Sequence, residues 1–326
     1  MSVNEGRKVR ILVLGGAGFI GRHAVSALLE RGQAVIVGSR RPGRVSRRLG
    51  MCAEACELRR VRFEEVTDAD WLPLIEDCDA VVNCVGILRE RGRETYDAVH
   101  VQALGALARA CAMREMRLVH VSALGLQHAH RSRFLRSKRE GERRLAASGA
   151  DYCLVRPSLL DGDGGFGASW IRALARLPLH VLARGATGNI AALDARDLGE
   201  ALANLCSLQL PRDAAAAQRE FELGGLQAPD IAAYLQGLRQ LHARTPAFEI
   251  RIPSLVARVA SHVFDLLHFS PLSFGHWELL HKDNVPLPNR LPELLGRPPR
   301  AVAALSARSP APAHCVGPDS RTEPTP

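Results

Sequence analysis

The stretch "RILVLGGAGFIGRHAVSALLERG" (10–32) constrains this chain more than any other. A short apolar run is followed by three glycines spaced Gly15-x-x-Gly18-x-x-Gly21, and then by an amphipathic helical pattern that ends at Gly32. A strand that turns sharply into a helix needs a residue without a Cβ at the turn, another where the backbone must lie open, and a third where the helix meets the strand. Such a turn leaves free N–H groups and the positive end of a helix dipole pointing at one spot, which suits a pyrophosphate. The strand, the helix and the unit length are all present, so the glycines are read as a dinucleotide-binding turn and not as a merely structural one.

The rest of the first half keeps the rhythm. Strands are expected at 34–39, 59–66, 79–87, 117–125 and 151–158, with helices near 69–76, 95–113 and 132–148 between them. "DAVVNCVGI" (79–87) is a near-continuous apolar run, as expected of a parallel strand covered on both faces. Alternation of this kind implies βαβ units and an α/β fold with a Rossmann-type, doubly wound parallel sheet. After 158 the pattern loosens into a glycine-rich loop (159–167), helices near 169–177, 195–208, 228–242 and 253–268, and candidate strands at 189–193 and 221–225. The expected organisation is a nucleotide-binding domain over 8–160 with a returning segment near 186–208, a smaller mixed domain over 161–305, and a disordered, proline-rich tail over 308–326.

At the end of the second strand, NAD-binding folds usually place a carboxylate for the ribose 2′-hydroxyl. Here the chain reads Val37-Gly38-Ser39-Arg40-Arg41, and no acidic residue stands between Glu30 and Glu54. A 2′-phosphate repels a carboxylate and accepts a bidentate guanidinium. The expected cofactor is therefore NADP(H) in preference to NAD(H), with Ser39, Arg40 and Arg41 around the 2′-phosphate. The net charge of +9 is concentrated in arginine clusters at 40–48 and 131–139. Neither cluster is interleaved with aromatics, which argues against single-stranded nucleic acid as a partner.

Eight cysteines lie singly, with no CxxC, and fit reduced thiols in a cytoplasmic protein. No run of 18 apolar residues is present, and glycines interrupt the N-terminal apolar stretch, against a secretory leader. His128 and His130 have no further ligand at metal spacing, and no metal is expected. No GxSxG elbow supports serine hydrolysis.

Taken in order, "GGAGFIG" (15–21), "NCVG" (83–86), "VHVSALG" (119–125), "RSKREGE" (136–142), "VRPS" (155–158), "LDARDLGEAL" (193–202), "FELGG" (221–225) and the late "DNV" of Asp283, Asn284 and Val285 resemble the atypical, extended short-chain dehydrogenase/reductase superfamily, with its epimerase/dehydratase-like members. Within it the chain most resembles the branch containing the NADPH-binding accessory subunit of respiratory complex I and its bacterial relatives. The resemblance implies that Gly15, Gly18, Phe19 and Ile20 line the pyrophosphate. It places Glu65 and Val66 near the adenine, and Cys84, Val85 and Gly86 under the middle of the cofactor. It sets Ser122 and Lys138 at the nicotinamide ribose, with Pro157 and Ser158 flanking the nicotinamide.

Catalytic members of that superfamily carry a Tyr-x-x-x-Lys pair, in which the ammonium lowers the pKa of the proton-transferring tyrosine. Here the lysine is Lys138, Phe134 stands where the tyrosine would, and Leu124 where a substrate-polarising serine would. Two readings follow. One is a cofactor-binding accessory or regulatory subunit of a membrane-associated redox complex, peripheral on the inner face of the membrane. The other is an NAD(P)H-dependent oxidoreductase or epimerase/dehydratase with a non-standard donor. The apolar segment 252–284 is open to three assignments: a lid, a membrane or subunit contact, or the core of the small domain.

Overall fold

The computed structural model describes residues 7–128, 132–211, 215–241, 245–254, 256 and 282–302. The 308–326 tail, His130 and most of the 252–284 segment lie outside them.

Strand β1 (Arg10–Leu14) leads into helix α1 (Phe19–Glu30), then β2 (Ala34–Ser39), a short α2 (Val45–Leu49) and β3 (Cys56–Arg60). Next come α3 (Asp68–Ile75), β4 (Ala80–Asn83), α4 (Ala103–Met113), β5 (Arg117–Val121), α5 (Arg133–Ala146) and β6 (Asp151–Pro157). A π-helical stretch, Asp97–Gln102, runs directly into α4. The main sheet has seven parallel strands in the order β10-β6-β5-β4-β1-β2-β3, its seventh strand β10 (Glu220–Leu223) following the short α8 (Ala216–Arg219). The order reverses between β1 and β4, and in an open α/β sheet the ligand crevice lies at that point.

Burial explains the continuous apolar strands. Ile11, Val13, Val35 and Val37 face one side, under α1 and α7 (Ala195–Ser207). Leu12, Leu14, Ile36 and Val81 face the other, under α3 and α4. Strand β3 differs from its expected 59–66 because it pairs with β2 only from Val35↔Cys56 to Ser39↔Arg60, at the sheet edge. Beyond the end of β2 there is nothing to pair with, and the chain turns into a 3-10 helix at Phe63–Glu65.

The remaining described residues form a smaller body. Helices α6 (Phe166–Ala175) and α9 (Ile231–Gln240) pack around Tyr234, Leu235, Leu238 and Ile190. A two-stranded parallel ribbon joins β8 (Leu179–Ala183) to β11 (Phe248–Ile252). Strands β7 (Leu160–Asp161) and β9 (Leu193–Asp194) form a second small pair. The 161–305 range is not confined to this body, since α7, β10 and α10 (Leu291–Leu295) all pack with the main sheet. Asp197, fully buried on α7, holds that return by accepting from Arg297 at 2.8 Å and from the Arg300 backbone N–H at 2.6 Å. Among the described residues no helix is long and apolar enough to cross a membrane.

Candidate functional site

The three glycines are required by geometry. Gly15 has φ +70°, and a Cβ there would come within 3.3 Å of the Cys84 backbone. A Cβ on Gly21 would lie 2.3 Å from the Gly15 carbonyl oxygen, a contact no real side chain makes. The Gly18 N–H donates to that same oxygen at 2.8 Å, and Gly18 caps α1. The first turn of α1, which holds Phe19 and Ile20, therefore begins hard against the ends of β1 and β4, with its leading N–H groups outside the helical ladder. The Phe19 ring is not directed at a phosphate position. It packs under the loop of Gly162 and Gly165, where a Cβ on Gly165 would come within 2.8 Å of it. Only the backbone of Phe19 can serve the turn.

Strand β2 delivers Ser39, whose hydroxyl accepts from the Arg41 N–H at 3.2 Å. The Arg40 guanidinium is ion-paired with Glu94, a partner from the loop after β4. Arg41 is exposed, and no ionic partner for it exists among the described residues. Glu65 and Val66 end the short 3-10 turn after β3, and Glu65 pairs with Arg62 at 3.1 Å and Arg93 at 3.7 Å. These residues lie on the β2–β3 side of the crevice, toward which β1 and β2 point their C-terminal ends.

On the other side, Asn83 closes β4 by accepting the Val85 N–H at 3.0 Å, which bends Cys84, Val85 and Gly86 across the crevice. The Nδ2 group of Asn83 donates to His120 Nδ1 at 3.2 Å, so His120 carries its proton on Nε2. His100 accepts the Ile87 N–H on Nε2 at 3.2 Å and donates from Nδ1 to Ser137 at 2.8 Å. The Ser137 hydroxyl passes its proton to the Phe134 carbonyl at 2.8 Å. Both histidines are neutral. Burial, then the Lys138 charge, takes His100 down to about 2 and His120 down to about 3.

Lys138 projects from α5 over Gly86, its ammonium 3.9 Å from where a Gly86 Cβ would be. Burial pushes its pKa down to about 8, with Glu142 pulling the other way. Glu142 is itself committed to Arg156 at 2.8 Å, so no described carboxylate pairs directly with Lys138. Ser122, at the end of β5, is buried and its hydroxyl has no partner among the described residues. Phe134 sits between Tyr96 and His100, at 5.8 and 5.7 Å between ring centroids. Leu124 is buried, and its N–H donates to the Pro157 carbonyl at 3.0 Å. Ser158 is engaged: its hydroxyl lies 2.6 Å from Asn284 Oδ1, while Asn284 Nδ2 donates to the Leu124 carbonyl at 3.2 Å. Asn284 thus pins the ends of β5 and β6 together, a role its position 126 residues from Ser158 conceals. Only its place in the "DNV" triplet marked it in the sequence.

Closely crowded glycines, with a Ser122 hydroxyl and a Lys138 ammonium that have no partner among the described residues, fit a dinucleotide laid across the switch point. The fold and this crevice define a Rossmann-type α/β protein with its ligand crevice at the switch point of the sheet. More particularly, residues 15–173 match the family described as NAD(P)H-binding. Over 152 residues it is 30% identical to the NADH dehydrogenase [ubiquinone] 1 alpha subcomplex subunit 9 of Dictyostelium discoideum, covering 46% of this chain and 42% of that protein. It is 27% identical over 159 residues to a ceramide reductase of Caulobacter vibrioides, covering 47% of each. The chain thus spans less than half the length of the curated relatives it matches. Among solved structures it is similar to an NADPH-dependent quinone oxidoreductase of Escherichia coli complexed with NADPH, with TM-score 0.67, 17% identity, and 91% of this chain and 98% of that one covered. The resemblance drawn from the motifs holds in these matches.

Proposed function

We propose that this chain binds NADP(H) and serves as an accessory or regulatory subunit of a membrane-associated redox complex, without tyrosine-dependent hydride transfer of its own. The observation that carries this reading is the contrast at α5. Lys138 is unpaired and poised over Gly86, while the residue one turn before it is Phe134, which has no proton to give. When bound, the nicotinamide would supply a hydride. This chain's residues would hold the dinucleotide: backbone N–H groups of Phe19 and Ile20 for the pyrophosphate, Lys138 and Ser122 for the ribose, Arg40 and Arg41 for the 2′-phosphate. Arg40 would exchange Glu94 for that phosphate, and Arg41 would close from solvent. The similarity to the Dictyostelium complex subunit supports the assignment to a redox complex.

A second reading, an NAD(P)H-dependent reductase with another donor, is favoured by one observation. The ring of Tyr96, just before the π-helical stretch, packs against Phe134, with its hydroxyl donating to the Leu88 carbonyl at 2.9 Å. The Caulobacter reductase gives that reading a relative. Purification, mass spectrometry of the bound nucleotide and NADPH oxidation over a panel of carbonyl substrates separate the two. Tight NADPH without turnover supports the accessory role. Turnover that disappears in Lys138→Ala overturns it, and turnover that disappears in Tyr96→Phe as well establishes the second reading.

A further inference from the structure

A second cleft, of about 460 Å³, opens along the outer side of α5 against the stretch that begins at Tyr96. It is not the dinucleotide crevice. Lys138 reaches inward over Gly86, and Arg136, two residues before it, leaves the helix on the opposite side. The cleft is lined by four guanidiniums, of Arg133, Arg136, Arg139 and Arg143, against the two carboxylates of Asp97 and Glu140. Arg143 pairs with Glu140 at 2.9 Å, and Arg133 reaches Glu90 at 3.2 Å. Arg136 and Arg139 have no acidic partner among the described residues.

We propose that this cleft binds a phosphate monoester. The four lining guanidiniums carry two more charges than the two lining carboxylates, one of them offset by Glu90 beside Arg133, and a phosphate monoester carries about −1.5 to −2 at neutral pH. Guanidinium forks match tetrahedral oxyanions bidentately, better than a lysine cluster would. The volume falls within the range of small-ligand sites, about 300–1,000 Å³. Tyr96 and Val101 line one side of the same cleft and give the organic part of an ester an apolar wall that inorganic phosphate would not need. Ser137 also lines the cleft, and its hydroxyl is bonded to Nδ1 of His100, whose Nε2 accepts the Ile87 N–H beyond Gly86. A ligand here would therefore be linked to the cofactor loop through Ser137 and His100 without entering the crevice.

The same chemistry could come from a soluble metabolite or from a lipid headgroup, and the test distinguishes them. The full chain, saturated with NADPH, is titrated calorimetrically with glycerol 3-phosphate, and in parallel mixed with phosphatidic acid vesicles and with phosphatidylcholine vesicles. Saturable binding of glycerol 3-phosphate that an Arg136→Ala/Arg139→Ala double variant weakens by about tenfold or more supports a soluble ester. Binding to phosphatidic acid vesicles alone, lost in the same variant, supports a lipid headgroup. The variant should bind NADPH as the parent does, because neither arginine faces the crevice. The proposal is overturned if neither probe binds, if the double variant binds like the parent, if NADPH competes with the probe, or if an oligoglutamate peptide binds as tightly as the phosphate ester.

Discussion

The two ends of the crevice are built from different materials. At the β1–α1 end the binding surface is backbone, and its shape follows from what is absent: the Cβ atoms of Gly15, Gly18 and Gly21. At the α5 end it is side chains, and most are already spoken for. His100 is tied to Ser137 and Ile87, Ser158 to Asn284, and Glu142 to Arg156. Lys138 and Ser122 are left uncommitted among the described residues that face this end. A backbone site tolerates almost no substitution at its glycines, whereas a side-chain site can lose its chemistry through one change, such as phenylalanine at position 134, and still hold a ligand. Binding and reactivity can thus be separated within one fold.

The largest effect is expected at the backbone end. Gly21→Ala puts a methyl 2.3 Å from the Gly15 carbonyl oxygen, so α1 must move off the sheet. NADPH affinity should fall by about 100-fold and stability by about 3 kcal/mol, read by calorimetry and thermal denaturation. Gly43→Ala, where a Cβ meets nothing within 4 Å, is the matched control and should change neither. If Gly21→Ala binds normally, the turn does not hold the dinucleotide.

Lys138→Met should split the two readouts. Losing the ribose contact should weaken NADPH by about tenfold. The apo-protein should become more stable at neutral pH, because a desolvated ammonium has been replaced by an apolar chain of similar length. The sign follows from the depressed pKa. Between about 8, the folded value, and 10.5, the ordinary one, the unfolded chain holds more protons than the folded chain. Lys138 therefore makes parent stability rise with pH through that window, and the gap between parent and Lys138→Met should close there. A variant that loses both binding and stability would mark Lys138 as structural.

How much of this could be read beforehand follows the same division. The β1–α1–β2 unit is legible because local spacing specifies it: glycines at fixed intervals, then buried apolar residues on alternating faces. Even so, α1 begins at Phe19, inside the glycine motif and not after it, since Gly18 provides the cap. What the sequence hid is nonlocal. Glu94 comes from a distant loop to occupy Arg40, and Asn284 crosses the molecule to reach Ser158. The β8–β11 ribbon pairs Leu179 with Phe248, and its exposed Val181 and Phe248 carry no burial pattern to betray a strand. The π-helical stretch at Asp97–Gln102 sits inside an otherwise ordinary alanine-rich helix, and it accommodates His100 beneath α5, where a Cβ on Gly141 would strike the His100 carbonyl at 2.0 Å.

A narrower effect, confined to NADPH, is expected at Arg40, and it sharpens the comparison because this side chain serves the backbone-built half. Its Glu94 partner is half-buried, so the pair must be broken before a 2′-phosphate can take its place. Arg40→Ala should weaken NADPH by about tenfold and leave NADH within about twofold, since only the former carries the extra phosphate. Glu94→Gln should act in the opposite direction, freeing Arg40 and tightening NADPH. Equal losses for the two dinucleotides in Arg40→Ala would show that the guanidinium supports the loop and reads no phosphate.

The smallest effect is expected from Phe134→Tyr. The ring lies between Tyr96 and His100, and a para-hydroxyl can be added with little change in that packing. NADPH affinity should stay within about twofold and stability within about 1 kcal/mol. Turnover should remain absent as well. The new phenol would gain the neighbouring Lys138 ammonium, but Leu124 still offers no hydroxyl to polarise a substrate oxygen, and Ser158 is held by Asn284. The paired variant Phe134→Tyr/Leu124→Ser restores both groups. Turnover in the pair but not in Phe134→Tyr would place the lost chemistry at two positions. Turnover in Phe134→Tyr alone would mean that one proton donor was all the reactive end lacked, and that the uncommitted Ser122 hydroxyl already does what Leu124 cannot.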